Sequence, residues 1–342
     1  MKILKIVLLI IVVVALLYFF FNNLDLAEVA KIIKDINPIY PVVFLLGLFF
    51  QFFIRAYRWR IILSPFKKSI SIYSLYNYIV IGFFINSIVP GRLGEPARGV
   101  LLAGEIGIKK SEGLASVVLE RMIDFLMIIV IFFLSLLFLE KTDSPIFVSL
   151  KKGAIVLFPI IVFIFFLFYL INIEGMSGFV EKLIKLTSKP LPLKYREKWI
   201  ESLGNFLKGL KLKLSAWNYI KLLLSSLLVW MWLVPLYWFL MKGFAFGSGV
   251  SVMQTVPYFS IIVVSAAIPT PGMTGSLDAA SKLGLMELYG YTGITTNQAG
   301  AFTLLVHVLI LIAILIPGIV AIKMKGLKIR SILGITERDE VS

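Results

Sequence analysis

The chain contains no cysteine and a single histidine, His307. The first absence removes disulfides, thiolate nucleophiles, iron–sulfur clusters and cysteine zinc sites. The second leaves no histidine pair for a metal centre or an acid–base dyad, and no metal or other cofactor is expected. Charge is also scarce. Only 15% of the 342 residues are charged and 59% are hydrophobic, against roughly 25% and 45–50% in soluble domains. No globule of this length can hide that excess, so part of the solvent is lipid. Disordered, collagenous and disulfide-scaffold classes are excluded with it. The charge present is basic, 34 Lys and Arg against 19 Asp and Glu. Patches of basic residues interleaved with stacking aromatics are missing, so nucleic acid is not the expected partner. Cationic loops facing an anionic membrane surface account for the imbalance.

A helical crossing takes about 20 mostly apolar residues. Six stretches supply them: 3–21, 38–62, 114–139, 154–171, 217–241 and 296–322. The first follows Lys2 and Lys5 as a secretory signal would. Its apolar run is too long for one, however, and Asn22-Asn23-Leu24-Asp25 stands where a small-residue cleavage site belongs, so it reads as a retained span. Residues 25–36 have apolar positions at helical spacing and suit a short interfacial helix.

Two further apolar stretches, 71–89 and 251–268, run directly into proline and glycine. One break is Pro90-Gly91-Arg92-Leu93-Gly94-Glu95-Pro96 and the other is Pro269-Thr270-Pro271-Gly272-Met273-Thr274-Gly275. A short, weakly apolar helix follows each, near 96–106 and 276–289. Loop charge suggests how these segments lie. Residues 55–68 carry five basic and no acidic side chains, residues 172–216 nine basic and four acidic, and the tail from 323 five basic and three acidic. The positive-inside rule puts all three in the cytoplasm. Residues 69–113 then start and finish inside, and residues 243–293 start and finish outside. Each becomes a re-entrant hairpin turning at its break. Eight ordinary spans with two Gly/Pro-rich loops is the competing arrangement.

The expectation is therefore an all-α polytopic membrane protein of about six full spans and two re-entrant hairpins, forming one domain over 1–342. Its first half is 38–139 and its second half, 217–322, is inverted. A cytoplasmic amphipathic linker (172–216) joins them, a basic tail (323–342) ends the chain, and both termini face the cytoplasm of a multi-pass cell-membrane protein. Interrupted apolar segments at matching positions of inverted halves point to a substrate site near mid-membrane.

The breaks also carry the candidate chemistry. Arg92, Glu95 and Arg98 recur at spacings of three. With Pro96 in the first helical turn, Glu95 sits near a helix N-terminus, where free N–H groups, the dipole and two arginines favour an anion such as phosphate. Asn86, about one turn earlier, adds an amide. Glu120, Arg121 and Asp124 form a second cluster near the start of span 114–139, with Glu120 and Asp124 on one face. The two triplets sum to zero charge, as one buried network would. At the second break Asp278 falls in the first turn of its helix, where Thr274 or Ser276 is a candidate cap. There it is a dipole partner, a counter-charge for a cationic head group or a proton acceptor. His307 lies within span 296–322, either satisfied by a neighbour or acting in a proton relay.

Three segments together resemble the lysylphosphatidylglycerol synthetase transmembrane-region family. They are Asn86-Ser-Ile-Val-Pro-Gly-Arg-Leu-Gly-Glu95-Pro-Ala-Arg98, Ala115-Ser-Val-Val-Leu-Glu120-Arg121-Met-Ile-Asp124 and Ile268-Pro-Thr-Pro-Gly272-Met-Thr-Gly275-Ser-Leu-Asp278. The resemblance implies a flippase-like domain whose re-entrant helices line cavities. It carries site roles onto Asn86, Arg92, Glu95, Arg98, Glu120, Arg121 and Asp124. The chain departs from the family pattern at Met273, where a second glycine is usual, at Asp278, where glutamate is usual, and at His307, where arginine is expected. The implied activity is movement between leaflets of an anionic lipid: an aminoacyl-phosphatidylglycerol, another phospholipid or a polyprenyl-phosphate-linked lipid. A separate lipid-modifying enzyme and a second copy of the chain are candidate partners. The alternatives are a membrane-embedded enzyme using Glu95, Glu120 or Asp124 as base, and a scaffold that recruits one. The sequence carries no nucleophile signature for the first.

Overall fold

The computed structural model describes residues 2–89, 91–137, 214–266 and 270–327, with isolated positions between 148 and 204. Pro90, Pro269, the expected span 154–171, the loop before it, most of the linker and the tail beyond 327 lie outside the described residues.

Helices stand at each remaining expected span. They are α1 (Lys2–Phe21), α3 (Ile39–Leu63), α6 (Lys110–Leu137), the pair α7 (Ala216–Met231) and α8 (Leu233–Met241), and α11 (Thr296–Met324). The short helix expected over 25–36 is α2 (Leu26–Asp35), started by the Asp25 carboxylate accepting from Ala27 N and Glu28 N at 2.9 and 3.2 Å. It leaves α1 at a 74° bend. Ser215 caps α7, and a Thr295–Gln298 capping box starts α11. No strand occurs among the described residues.

By length and composition α3, α7–α8 and α11 can each cross a bilayer, and α1 with α2 forms a fourth, bent candidate. Helix α6 is 28 residues long and carries Glu120, Arg121 and Asp124 within its apolar run. The outer faces are as apolar as the interior. Leu46, Phe50 and Phe53 of α3, Phe133 of α6, Leu223 and Leu224 of α7, and Ile316, Ile319 and Val320 of α11 all remain exposed. Helices apolar all round are stable only when lipid covers the outside. The protein is an all-α, multi-pass membrane protein.

The two interrupted segments form antiparallel helix pairs. Helix α4 (Ile72–Ile88) returns as α5 (Gly94–Ile106), bringing Tyr78 against Glu105 and Gly82 against Arg98. Helix α9 (Thr255–Ser265) returns as α10 (Ser276–Tyr289), where the Tyr258 hydroxyl meets the Ser281 hydroxyl at 2.6 Å and the Tyr289 hydroxyl donates to Gln254 O at 3.0 Å. At 17, 13, 11 and 14 residues these helices fall short of the ~20 that a crossing takes.

The turns between them share a backbone form. Gly91 and Arg92 have φ of 86° and 56°; Gly272 and Met273 have 59° and 62°. In each turn a glycine enters the left-handed region and a side-chain-bearing residue follows it there, at a cost of roughly 1–2 kcal/mol. The chain builds the same tight turn twice, and at the second position Met273 accepts the strain that glycine would avoid.

The first pair is held by a close backbone approach. A Cβ on Gly94 would lie 1.9 Å from Gly82 O and 2.8 Å from Asn86 Oδ1. Backbone cannot yield as a side-chain tip can, so Gly94→Ala separates α4 from α5. We expect a loss of about 3 kcal/mol or more, read as a lowered unfolding midpoint in detergent. Gly104→Ala, which meets nothing within 4 Å, serves as the silent control. At its other end the pair is fastened to α11: Lys325 Nζ lies 2.6 Å from Glu105 Oε2, and the Tyr78 hydroxyl donates to the same oxygen at 2.8 Å.

Candidate functional site

The charged centre begins with two arginines that loop counting had placed in the cytoplasm. Helix α3 continues to Leu63, past the expected end at 62, and Arg55 and Arg58 are buried within it. The correction has a legible cause. Trp59, Ile61, Ile62 and Leu63 resume the apolar run after these arginines, and all four are buried. Arg55 and Arg58 therefore belong to the helix, as the expected span 38–62 allowed, and their charge is buried rather than part of a solvated basic stretch.

Arg58, with no exposed surface, donates to Asp124 Oδ1 at 2.7 Å and to Glu120 Oε1 at 2.9 Å. Arg98 donates to Glu120 Oε2 at 2.7 Å and lies over the Trp59 ring at 4.5 Å. Trp59 is fixed by its own bond to Ser116 Oγ at 3.0 Å. Arg121 Nη2 stands 2.8 Å from Asp124 Oδ2, an ion pair without hydrogen-bond alignment, and Nη1 reaches Glu95 Oε1 at 3.3 Å. Trp230 of α7 donates to Asp124 Oδ1 at 2.9 Å, tying the second half of the chain to the network. Charges buried in a membrane protein persist by pairing in this way.

Arg55 is the exception. Its Nη1 is 3.5 Å from Asp124 Oδ2 and 3.9 Å from Glu120 Oε1, beyond hydrogen-bond reach. Both Nε and Nη1 are buried without a hydrogen-bond partner. The guanidinium sits between the rings of Phe83 and Trp230, at 5.7 and 5.5 Å from their centroids. Arg92, in the first turn, has no ion pair among the described residues.

The network is not neutral, unlike the sum over the two sequence triplets. Arg55, Arg58, Arg98 and Arg121 face Glu95, Glu120 and Asp124, one positive charge in excess, and Arg92 on the cavity wall adds a second.

A cavity of about 250 Å³ opens on this excess. Its charged wall comprises Arg55, Arg92, Glu95, Arg121 and Asp124, with Asn86 and Ser87 beside them. Asn86 Oδ1 accepts from Gly94 N at 2.8 Å, so this amide caps α5 and leaves its NH2 group to donate. Apart from Gln51, the remaining wall is largely apolar and comes from α3, α4 and α6 to α11, including Ile128, Tyr237, Phe259 and Ile314. Phe125 lines the cavity and is also half exposed on the outer face of α6. The second break closes the far side through Thr270, Gly272 and Met273.

Of the residues singled out from the sequence, Asn86, Arg92, Glu95, Arg121 and Asp124 line this cavity. Arg98 and Glu120 do not; they form the paired layer behind it. Asp278 is also set back. It accepts from Gly275 N at 2.8 Å, so it caps its own helix, and neither Thr274 nor Ser276 does so. Its other oxygen meets His307 Nδ1 at 2.7 Å. Gly91, Gly272 and Gly275 lie at the turns, Pro271 opens the short 3-10 turn of the second break, and Gly94 and Pro96 lie in the first turn of α5. No group of three or more His, Asp or Glu poised for a metal occurs among the described residues.

An all-helical membrane protein, with two broken helix pairs meeting at an arginine-rich cavity, defines the class. The family follows from comparison: residues 3–318 match the lysylphosphatidylglycerol synthase TM region, and the chain belongs to that family. It is also similar to a UPF0104 membrane protein of Methanocaldococcus jannaschii, 38% identical over 84 residues. That match covers 24% of this chain and 36% of the relative's length. No solved structure matches.

Proposed function

We propose that the protein is a transporter that carries a phosphate-bearing lipid between membrane leaflets and does not itself change the lipid covalently. The observation that carries this reading is the cavity's uncompensated positive charge. Arg55 is buried with two donors that make no hydrogen bond, and it lines the same, largely apolar chamber as Arg92. Buried donors left without hydrogen-bond partners are costly even 3.5 Å from a carboxylate, and an arginine fork matches phosphate oxygens. Phe125 lines the chamber and also faces outward, which suits a head group inside with acyl chains left in the bilayer.

The reading takes α4–α5 and α9–α10 as re-entrant pairs of two inverted halves, with termini in the cytoplasm and the cell membrane as the setting. Helices too short to cross and the twice-built turn support that arrangement. Broken helices meeting at mid-membrane are the transporter pattern, and irregular backbone is tolerated there because it lines a cavity. The family's name, which refers to synthesis of lysylphosphatidylglycerol, supports a lipid as cargo.

The test is reconstitution in liposomes with a trace of labelled anionic phospholipid in one leaflet. We expect exchange at least tenfold faster than in empty liposomes, faster for phosphatidylglycerol than for phosphatidylcholine, and slowed by Arg92→Gln. A lipid recovered in altered covalent form would replace this reading with a membrane-embedded enzyme. Background exchange of unaltered lipid would leave a recruiting scaffold.

A further inference from the structure

The only histidine of the chain sits between two oxygen acceptors. His307 Nδ1 is 2.7 Å from Asp278 Oδ1, and Nε2 is 3.1 Å from Gly272 O. A carbonyl oxygen can only accept, so Nε2 carries hydrogen. The contact between Nδ1 and the carboxylate needs a second hydrogen. The trio is complete only with two protons, and a neutral imidazole supplies one. With both hydrogens in place, the ring and the carboxylate are together neutral, whichever of them holds the second one.

We propose that His307 and Asp278 form a proton-binding site that sets the position of the second break. Three elements meet there: α11 through His307, α10 through Asp278, and the turn through Gly272. When the site gives up its proton, one ring nitrogen keeps hydrogen. The charge-assisted bond to Asp278 is the stronger of the two, so Nδ1–H is retained and Nε2 becomes bare. Its lone pair then faces the Gly272 carbonyl, and the bond to the turn is lost. Asp278 stays in place because its other oxygen holds Gly275 N. The freed segment is the turn that lines the cavity with Gly272 and Met273 and that already holds Met273 at a positive φ.

Other ionisable groups on the packed elements are engaged elsewhere. Lys282 of α10 donates to Phe20 O and Asn22 O, and Tyr258 of α9 bonds Ser281. Arg55 and Arg58 of α3 face Glu120 and Asp124, Tyr78 of α4 bonds Glu105, and Glu28 of α2 bonds Asn297. Across the cavity Arg92 and Glu95 belong to the first break. The proton site is thus distinct from the anion-facing wall. On the transport reading, which this consequence alone rests on, a proton taken up at one break accompanies an anion held at the other.

The single histidine makes the site directly observable. In 15N-histidine-labelled protein in nanodiscs, made without a histidine tag, we expect hydrogen on both ring nitrogens at pH 6. At pH 9 we expect hydrogen on Nδ1 alone. Asp278→Asn should move the neutral ring's hydrogen to Nε2. A bare Nδ1 in the unaltered chain at pH 6, or the same neutral form with and without Asp278, overturns the proposal. Because the chain has no cysteine, a nitroxide on Met273→Cys reports the turn alone. Its mobility should rise at least twofold from pH 6 to pH 9, and this rise should vanish in His307→Gln. A nitroxide indifferent to pH in both proteins also overturns it. Neither measurement involves a lipid cargo, so a failed exchange assay would leave both results readable.

Discussion

Arg58→Ala costs about 3–5 kcal/mol of stability, the loss expected when one partner of a buried ion pair is removed. Arg58 is fully enclosed and satisfies both Glu120 and Asp124. Its removal leaves Arg98 and Arg121 to share two carboxylates in a dry layer, with Arg55 too distant to bond either. Unfolding of purified protein in detergent, followed by tryptophan fluorescence, checks the figure. The double variant Arg58→Met with Glu120→Gln should recover part of the loss, because replacing both members of a buried pair is far less damaging than orphaning one. A single variant as stable as the parent would mean that the layer is open to water.

Arg55→Gln, one turn earlier on the same helix, should have the opposite signature. Arg55 makes no hydrogen bond to the protein, so its burial is a cost that the fold bears. Removing its charge leaves stability unchanged or slightly raised. What it removes is the free donor pair in the cavity. A hydrogen bond to a charged group contributes about 1.5–3 kcal/mol, so the affinity for an anionic head group should fall roughly 10- to 150-fold. Competition of phosphatidylglycerol against a fluorescent analogue, measured on both proteins, reads this directly. Equal affinities would move the phosphate position to Arg92. On the proposed function, the two arginines separate what holds the layer together from what would meet an anionic head group, although both belong to one helix and one residue type.

The helices were legible because long apolar runs leave few alternatives, and both breaks were legible because Pro and Gly clusters end helices. The roles of Arg55 and Arg58 were not. The span 38–62 already contained them, but charge counting grouped them with the basic stretch that follows, and no local pattern shows that they pair with Glu120 and Asp124. The same miscount produced the expectation of a neutral network, since two cations assigned to the cytoplasm belonged inside. Arg98 and Glu120 illustrate a second limit. Spacing places a residue on a helix face, but it cannot tell a side chain in the cavity wall from one a layer behind. Asp278 and His307 were noticed singly, 29 residues apart. Their pairing depends on α10 packing against α11, which no local pattern encodes.

Trp230 bonds Asp124 across the boundary between the two halves. If the halves rock against each other, that indole must either travel with the carboxylate or desert it. In the second case Asp124 loses a donor at the moment the chamber changes shape, and its hold on the neighbouring guanidinium groups tightens. One indole nitrogen would then act as a clutch, making the grip on the cargo a function of the tilt of the helices.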